Sequence, residues 1–260
     1  MPRFTALKDI RDRILYEDNS VVVVNKPAGI AVQSASTDEP DVESLLKNYY
    51  KGGYVGVVHR LDQPVEGLVV FARTAACAGE LGRQVQDGRM QKRYFAAVYR
   101  AASSPGISAE AAAKQIDHFE TGREYVLTDY LLRNGRENRS YVVDSQTPGA
   151  KRAVLSLQAV QAETDRAVLW ICLQTGRHHQ IRVQLSQAGW PLSGDLKYGA
   201  VRNQGGRSGL GLCAAGLSFI HPSDRRRMQF QIRPEGSAFE WADQDIMRLF
   251  AEAVSLGTGV

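Results

Sequence analysis

Short strand-like segments recur along the chain between turn signals, and this recurrence limits the folds open to it. The first is a run of four valines, Val21 to Val24, which is typical of a buried strand and stops at residues 25–29, Asn-Lys-Pro-Ala-Gly. The same criteria predict further strands at residues 30–33, 54–58, 68–72, 93–99, 125–133, 140–143, 152–160, 167–173, 210–220 and 228–233.

Helix signals are fewer than strand signals. We predict helices at residues 41–50 and 74–88, capped by Asp41 and Thr74, at 177–188 after Thr175 and Gly176, and at 241–255. Residues 101–122 are rich in serine, alanine and glycine, which indicates a flexible connection or an insertion. Because helices and strands do not alternate regularly, the sequence predicts an α+β fold with a mixed, largely antiparallel sheet flanked by helices.

Composition narrows the classes of protein. The 260 residues are 43% apolar and 23% charged, as in a globular chain, and no stretch approaches about 18 uninterrupted apolar residues. The three cysteines show no Cys-x-x-Cys spacing, and no His-x-x-x-His pair occurs. We therefore expect a cytoplasmic protein that does not span a membrane and binds no metal.

The net charge of +4 permits an RNA partner without requiring one. Arginines cluster in three places and would suit separate phosphate contacts, although solvated surface charge is an equally good interpretation of each cluster. The clusters are Arg133, Arg136 and Arg139; Arg177 and Arg182; and Arg225, Arg226 and Arg227.

One polar loop carries the residues best suited to chemistry. Residues 59–67 read His-Arg-Leu-Asp-Gln-Pro-Val-Glu-Gly and lie between two predicted strands. Alone, this run could be a charged turn. It nevertheless resembles the catalytic signature of RluA-type pseudouridine synthases, with the aspartate at Asp62, although Val65 stands where a threonine or similar small residue is usual.

Other segments carry the same resemblance. Residues 91–98 are similar to the family's second motif, and residues 175–182 and 195–199 to its third motif and its Gly-Asp-x-x-Tyr-Gly pattern. Residues 25–29 and 212–222 resemble the opening and closing segments, so the resemblance extends over about 14–233. Gln184 and Cys213 depart from it, because histidine is usual at both positions.

The resemblance implies an isomerase that converts uridine in ribosomal or transfer RNA to pseudouridine without a cofactor. Breaking and remaking the bond between base and ribose needs no redox step, but it needs an ionised carboxylate beside a nucleotide extracted from its stack. The implied catalytic residues are Asp62 as the carboxylate, Tyr94 stacking on uracil and acting as or beside a base, and Arg182 as the cation beside the carboxylate. The implied RNA-binding residues are Arg60, Arg177, His179 and Leu212.

The resemblance also implies an organisation. We expect a single catalytic domain over residues 1–260 with its core at about 14–233, without a separate amino-terminal RNA-binding domain, acting as a monomer. The alternative is an inactive RNA-binding protein with the same fold, in which the changes at Val65, Gln184 or Cys213 have abolished turnover. Retention of Asp62, Tyr94 and Arg182 argues against this alternative.

Overall fold

A computed structural model describes residues 9–34, 39–101, 116–199, 209–243 and 245. Within these ranges the strands are β1 (Ile14–Glu17), β2 (Val21–Lys26), β3 (Gly56–Val57), β4 (Glu66–Ala72), β5 (Gln91–Tyr99), β6 (Glu124–Asn134), β7 (Arg139–Val143), β8 (Lys151–Ala162), β9 (Arg166–Leu173), β10 (Leu212–Ile220) and β11 (Arg227–Gln231). The α-helices are α1 (Val42–Tyr49), α2 (Ala75–Gln86) and α3 (Gln180–Gln187), and short 3₁₀ helices occupy Ile10–Arg13 and Ser237–Phe239.

The chain divides into two units. The first unit comprises residues 1–92 and 213–234, and the second comprises residues 93–212 and 235–260. In the first unit the strand order is β1-β2-β4-β10, with β3 beside β4 and β11 beside β10. The pairs are antiparallel except for β4 and β10, which are parallel, so this part of the sheet is mixed.

The central position of β2 in its sheet explains why its four valines are buried. Val21 to Val24 are fully buried because β2 lies between β1 and β4, and both of its faces are covered. Apolar side chains of β4, α2 and β10 complete the core of this unit, among them Val70, Leu81 and Phe219. The strand predicted from the valine run is confirmed and extends two residues further, to Lys26.

The second unit contains antiparallel strands in the order β5-β9-β8-β6-β7, so β8 pairs with β6 and not with β7, the strand that precedes it. The successive strands predicted from residues 125 to 173 are confirmed, and the Asn134-Gly135 turn signal lies between β6 and β7. Helix α3 packs on these strands through Val183, which contacts Leu131 and Ala153. Mixed pairing with interspersed helices confirms the predicted α+β class.

Two predicted helices begin where their capping residues indicated. The Asp41 carboxylate accepts a hydrogen bond from the Ser44 amide at 2.7 Å, and the Thr74 hydroxyl accepts one from the Cys77 amide at 3.1 Å. Each cap satisfies an amide that the first turn of a helix leaves without a partner. The predicted starts of α1 and α2 are therefore confirmed.

Other local predictions were wrong or lie outside the described residues. Residues 30–33 form no strand, since Ala31 makes only an isolated bridge to Asp41. Helix α3 begins at Gln180, because the Thr175 hydroxyl donates to the Gln180 side chain at 2.8 Å instead of capping at residue 177. Most of the connection predicted at 101–122 and of the helix predicted at 241–255 lies outside the described residues.

Candidate functional site

The aspartate of the His-Arg-Leu-Asp run lies in a turn between β3 and β4 of the first unit. The Val65 amide donates to the Asp62 carbonyl at 3.0 Å and closes the turn, and the Asp62 side chain is half-buried. The next carbonyl, that of Gln63, accepts from the Gly29 amide at 2.8 Å. The backbone around Asp62 is therefore held by its own turn and by the segment that follows β2.

The side chain of Lys26 supports the same loop. Its side chain is 0% exposed, and its Nζ donates to the carbonyls of Pro27 at 3.0 Å, Ile30 at 2.8 Å and Gln63 at 3.2 Å. Burial lowers the pKa of Lys26 to about 7, although the negative charges of Asp62 and Glu66 oppose that shift. Lys26 was not predicted as a site residue; the available signal was a lysine directly before proline at the end of an apolar strand.

The two residues that begin the run differ in exposure. His59 is buried, and its Nε2 accepts from the Val70 amide at 3.2 Å. Burial, with a smaller effect from the charge of Lys92, lowers the pKa of His59 well below its usual range, so the ring is neutral. Arg60 is exposed, and its guanidinium donates to the Gln33 side chain at 2.9 Å.

Arg182 belongs to a buried ion pair in the second unit. Its Nε lies 2.8 Å from one carboxylate oxygen of Asp195, and one terminal nitrogen lies 2.8 Å from the other. Asp195 is 0% exposed and Arg182 is 6% exposed. Asp195 also accepts from the amides of Lys197 at 3.0 Å and Tyr198 at 3.3 Å. The bidentate pair fixes the plane of the guanidinium. Burial makes Arg182 unsuited to the surface phosphate contact considered for its cluster.

Tyr198 connects Arg182 to the start of helix α3. Its ring centre lies 5.3 Å from the Arg182 guanidinium carbon, and its hydroxyl oxygen accepts from the Ser140 amide at 2.8 Å. Nδ1 of His179 is 2.8 Å from the same oxygen. Burial raises the pKa of Tyr198, so its hydroxyl stays protonated at neutral pH. His179, 8% exposed with a φ of +54°, is the residue that caps α3.

Neighbouring polar groups extend this network toward the β6–β7 hairpin. The ring nitrogens of His178 lie 2.9 Å from the Ser140 hydroxyl and 3.0 Å from the Asn138 side-chain oxygen. Arg177 is exposed, and its Nε donates to the Arg152 carbonyl at 3.0 Å. The loop before α3 is therefore tied to two neighbouring strands, with its arginine facing solvent.

Tyr94 and Leu212 are buried strand residues. Tyr94 lies in β5 opposite Ile171 of β9 and is 6% exposed. Leu212 begins β10, is 4% exposed, and its amide donates to the Leu210 carbonyl at 2.8 Å. Both side chains are therefore largely covered in this structure.

The predicted site residues fall into two groups, each inside one unit. The first unit contains Arg60 and Asp62, and the second contains Tyr94, Arg177, His179, Arg182 and Leu212. Within the second unit the structure links Arg182 and His179 through Tyr198. Lys26, Asp195 and Tyr198 were not predicted as site residues, although all three belong to segments that carry the resemblance.

Two features of the described residues concern metal and membrane binding. No group of three or more histidine, cysteine, aspartate or glutamate side chains within them is arranged to hold a metal ion. None of the helices described here is both long enough and apolar enough to cross a membrane.

Comparison with known proteins identifies similar sequences. Residues 20–187 match the family model described as RNA pseudouridylate synthase. A ribosomal large subunit pseudouridine synthase D of Zymomonas mobilis is 30% identical over 88% of this chain and 71% of its own length. A protein of the same name from Neisseria meningitidis is 31% identical over 84% of this chain and 57% of its own length. An uncharacterised RNA pseudouridine synthase of Bacillus subtilis is 29% identical, over 84% of this chain and 70% of that protein.

Solved structures share the fold. Human RNA pseudouridylate synthase domain containing 1 superposes with a TM-score of 0.64 at 22% identity, over 85% of this chain and 83% of that one. Human RNA pseudouridylate synthase domain containing 4 also gives a TM-score of 0.64, at 20% identity, over 87% and 90% of the two chains. At these identities the likeness extends to the fold alone.

Proposed function

Because this chain belongs to the RNA pseudouridylate synthase family, and is thus an isomerase of uridine in RNA, we propose that it acts on ribosomal RNA with Asp62 as its catalytic carboxylate. The observation that carries this proposal is the loop of Asp62. Two backbone hydrogen bonds and the buried Lys26 hold a half-buried carboxylate in a fixed turn. Such preorganisation suits a group that must attack or polarise one atom of a bound nucleotide.

The reaction sets the tasks of the side chains. The bond between N1 of uracil and C1′ of ribose breaks, the base turns, C5 bonds to C1′, and the proton of C5 leaves while N1 gains one. Redox state and atom count are unchanged, so the chemistry requires no cofactor. We assign the carboxylate step to Asp62, stacking on uracil and proton removal to Tyr94, and charge stabilisation of the carboxylate to Arg182.

The geometry within each unit supports these assignments. The negative charge of Asp62 acts on the buried side chain of Lys26 and partly opposes the lowering of the Lys26 pKa by burial, so the two groups are electrostatically coupled. The guanidinium of Arg182 is oriented by Asp195, which fixes the plane of its N–H groups. Exposed Arg60 and Arg177 are suited to RNA phosphates, and we retain RNA-binding roles for His179 and Leu212 as predictions.

Four further parts of the proposal concern organisation, location and metal binding. We propose a single catalytic domain that works as a monomer in the cytoplasm and binds no metal. Sedimentation of the purified protein at about micromolar concentration tests the monomer. A dimer would contradict it without bearing on the chemistry.

Release of tritium tests the function. The purified protein, without added metal or nucleotide, is incubated with ribosomal and with transfer RNA labelled at uracil C5. We expect release to water from ribosomal RNA only. Asp62→Asn, similar in size but unable to ionise, should abolish release and leave RNA affinity within about threefold. The matched control is Asp144→Asn, an exposed aspartate in another turn, which should keep full activity.

Two results would contradict the proposal. Substantial release by the Asp62→Asn variant would remove Asp62 as the catalytic carboxylate. No release by the natural protein, from RNA that it binds and that contains unmodified target uridines, would favour an inactive RNA-binding protein. Release from transfer RNA alone would instead correct the substrate.

A further inference from the structure

Leu196 lies in a hydrogen-bonded turn of the second unit and extends into solvent. It is 81% exposed, more than any other large hydrophobic residue that the structure describes. The carboxylate of buried Asp195 holds this turn, because it accepts from the amides of Lys197 at 3.0 Å and Tyr198 at 3.3 Å. Asp195 is in turn held by its two bonds to Arg182. The backbone is therefore fixed in a conformation that leaves Leu196 open to a ligand.

Cationic side chains border this turn. Lys197 donates from Nζ to the Asn138 carbonyl at 3.0 Å, which ties the turn to the β6–β7 hairpin. The guanidinium carbon of Arg139 lies 6.0 Å from the centre of the Tyr198 ring. Nε2 of His178 lies 3.0 Å from the side-chain oxygen of Asn138, so the loop before α3 contacts the same hairpin. We call this region the basic surface, and its cations are Arg133, Arg136, Arg139, Arg177 and Lys197.

The basic surface keeps an excess of positive charge. Glu137 is the acidic residue of the turn between β6 and β7, and it accepts from the Tyr141 hydroxyl. No salt bridge between described residues includes a cation of this surface. Unpaired cations around an exposed apolar side chain favour a polyanion that also has apolar faces. RNA combines charged phosphates with flat bases in this way.

We propose that RNA docks on the basic surface, with its phosphates on the cations and Leu196 inserted between two neighbouring bases. An apolar side chain inserted in this way separates stacked bases and is covered by them, which removes it from water. The proposal rests on the proposed function for RNA as the partner. It assigns Leu196 a role in binding and none in the chemical step.

Salt dependence distinguishes the contribution of Leu196 from that of the cations. The affinity of each variant for an unmodified transcript of ribosomal RNA is measured by filter binding at several salt concentrations. Leu196→Ala should weaken binding about tenfold at every concentration, because an apolar contact releases no counterions. Arg136→Met should instead reduce the slope of log affinity against log salt by about 0.7 to 0.9, as expected for one lost phosphate contact.

Each variant has a matched control elsewhere in the chain. Leu15 of β1 is a second exposed leucine, at 46%, and Leu15→Ala should keep the natural affinity and slope. Arg123 is an exposed arginine that precedes β6, at the end of that strand away from the hairpin turn. Its guanidinium is paired with Glu120, so Arg123→Met should also leave affinity and slope unchanged.

A fluorescent base tests the insertion itself. Phosphates and the faces of bases do not depend on sequence, so a short single-stranded RNA of adenines is a suitable probe. One adenine is replaced by 2-aminopurine, whose fluorescence is quenched while it is stacked. At saturation the natural protein and Leu15→Ala should raise this fluorescence, because insertion unstacks neighbouring bases. Leu196→Ala at its own saturating concentration should not.

The outcomes separate this inference from the proposed function. Natural RNA affinity of a folded Leu196→Ala variant, or a loss that changes the salt slope, overturns the role of Leu196. A weaker affinity with the natural rise in fluorescence overturns insertion. Either result with a natural protein that releases tritium leaves the enzyme assignment intact. The expected losses in a protein that binds RNA but releases no tritium support the docking surface and contradict the proposed function.

Discussion

Replacing Asp195 with asparagine tests whether the buried ion pair supports Arg182. The change keeps the size of the side chain and one carbonyl oxygen, which can still accept from the amide of Lys197. It removes one of the two acceptors for the guanidinium and turns an N–H group toward it. Arg182, 6% exposed, then keeps its charge without a carboxylate beside it.

The magnitude follows from this burial. Removing one partner of a buried ion pair costs about 3–5 kcal/mol, because the remaining charge stays desolvated. Since asparagine retains one acceptor, we expect a loss of about 3 kcal/mol in the free energy of unfolding. With an m-value of about 3 kcal/mol/M, the urea midpoint should fall by about 1 M.

The assay is urea unfolding followed by circular dichroism, with Asp144→Asn as the control. Asp144 accepts from the amide of Gln146 at 2.7 Å, just as Asp195 accepts from the amide two residues after it. Asp144 is exposed, however, and bonds no arginine in the described structure. Its variant should lose less than about 1 kcal/mol. The combination of Asp195→Asn with Arg182→Met should cost less than the sum of the single changes. Equal losses for Asp195→Asn and Asp144→Asn would refute the argument.

Two further predictions concern the first unit. Lys26→Met removes a group whose pKa falls from 10.5 when unfolded to about 7 when folded, so between these values only the unfolded chain binds the proton. The free energy of unfolding of the natural protein should therefore rise from about pH 7.5 to about pH 9.5, and it should rise less in Lys26→Met. The control Lys151→Met, at an exposed lysine, should behave like the natural protein. Parallel curves of unfolding free energy against pH for the natural protein and Lys26→Met would contradict the lowered pKa of Lys26. Gly67→Ala should cost roughly 2–4 kcal/mol, because φ is +127° and a Cβ would lie 2.5 Å from the Ala214 carbonyl oxygen. The same change at exposed Gly79 of α2, where a Cβ meets nothing, should stabilise by up to about 1 kcal/mol. Thermal unfolding of both glycine variants distinguishes these signs, and a loss at Gly79 equal to that at Gly67 would show that the close approach is unimportant.

Local signals predicted much of the fold. The valine run marked β2 because a central strand is covered on both faces, and Asp41 and Thr74 marked helix starts because caps act within three residues. Signals failed where distant contacts decide the conformation. Thr175 resembled a cap but bonds the Gln180 side chain and the backbone of β8, a strand about twenty residues earlier.

The sequence indicated candidate site residues but not their buried partners. The resemblance supplied Asp62, Tyr94 and Arg182, but nothing local to Arg182 showed that Asp195, thirteen residues later, is its buried partner. Lys26 was hidden for the same reason, since one of its three acceptors is the carbonyl of Gln63, thirty-seven residues away. Partners at such separations depend on the tertiary fold.

The turn that contains Asp62 has a consequence for how its sequence can diverge. The hydrogen bonds that close it are made by main-chain atoms, at the carbonyls of Asp62 and Gln63 and the amide of Val65. The bond from Gln63 Nε2 to the Gly29 carbonyl, at 3.1 Å, is exposed, so side chains there can change without moving the backbone. Val65 illustrates this: it replaces the usual threonine, yet its amide keeps the turn and its side chain is buried. Lys26 lacks this freedom, because only a long side chain with three donors reaches its carbonyls. Under selection for activity, a library randomised at positions 26, 63 and 65 should retain lysine at 26 and accept many residues at 63.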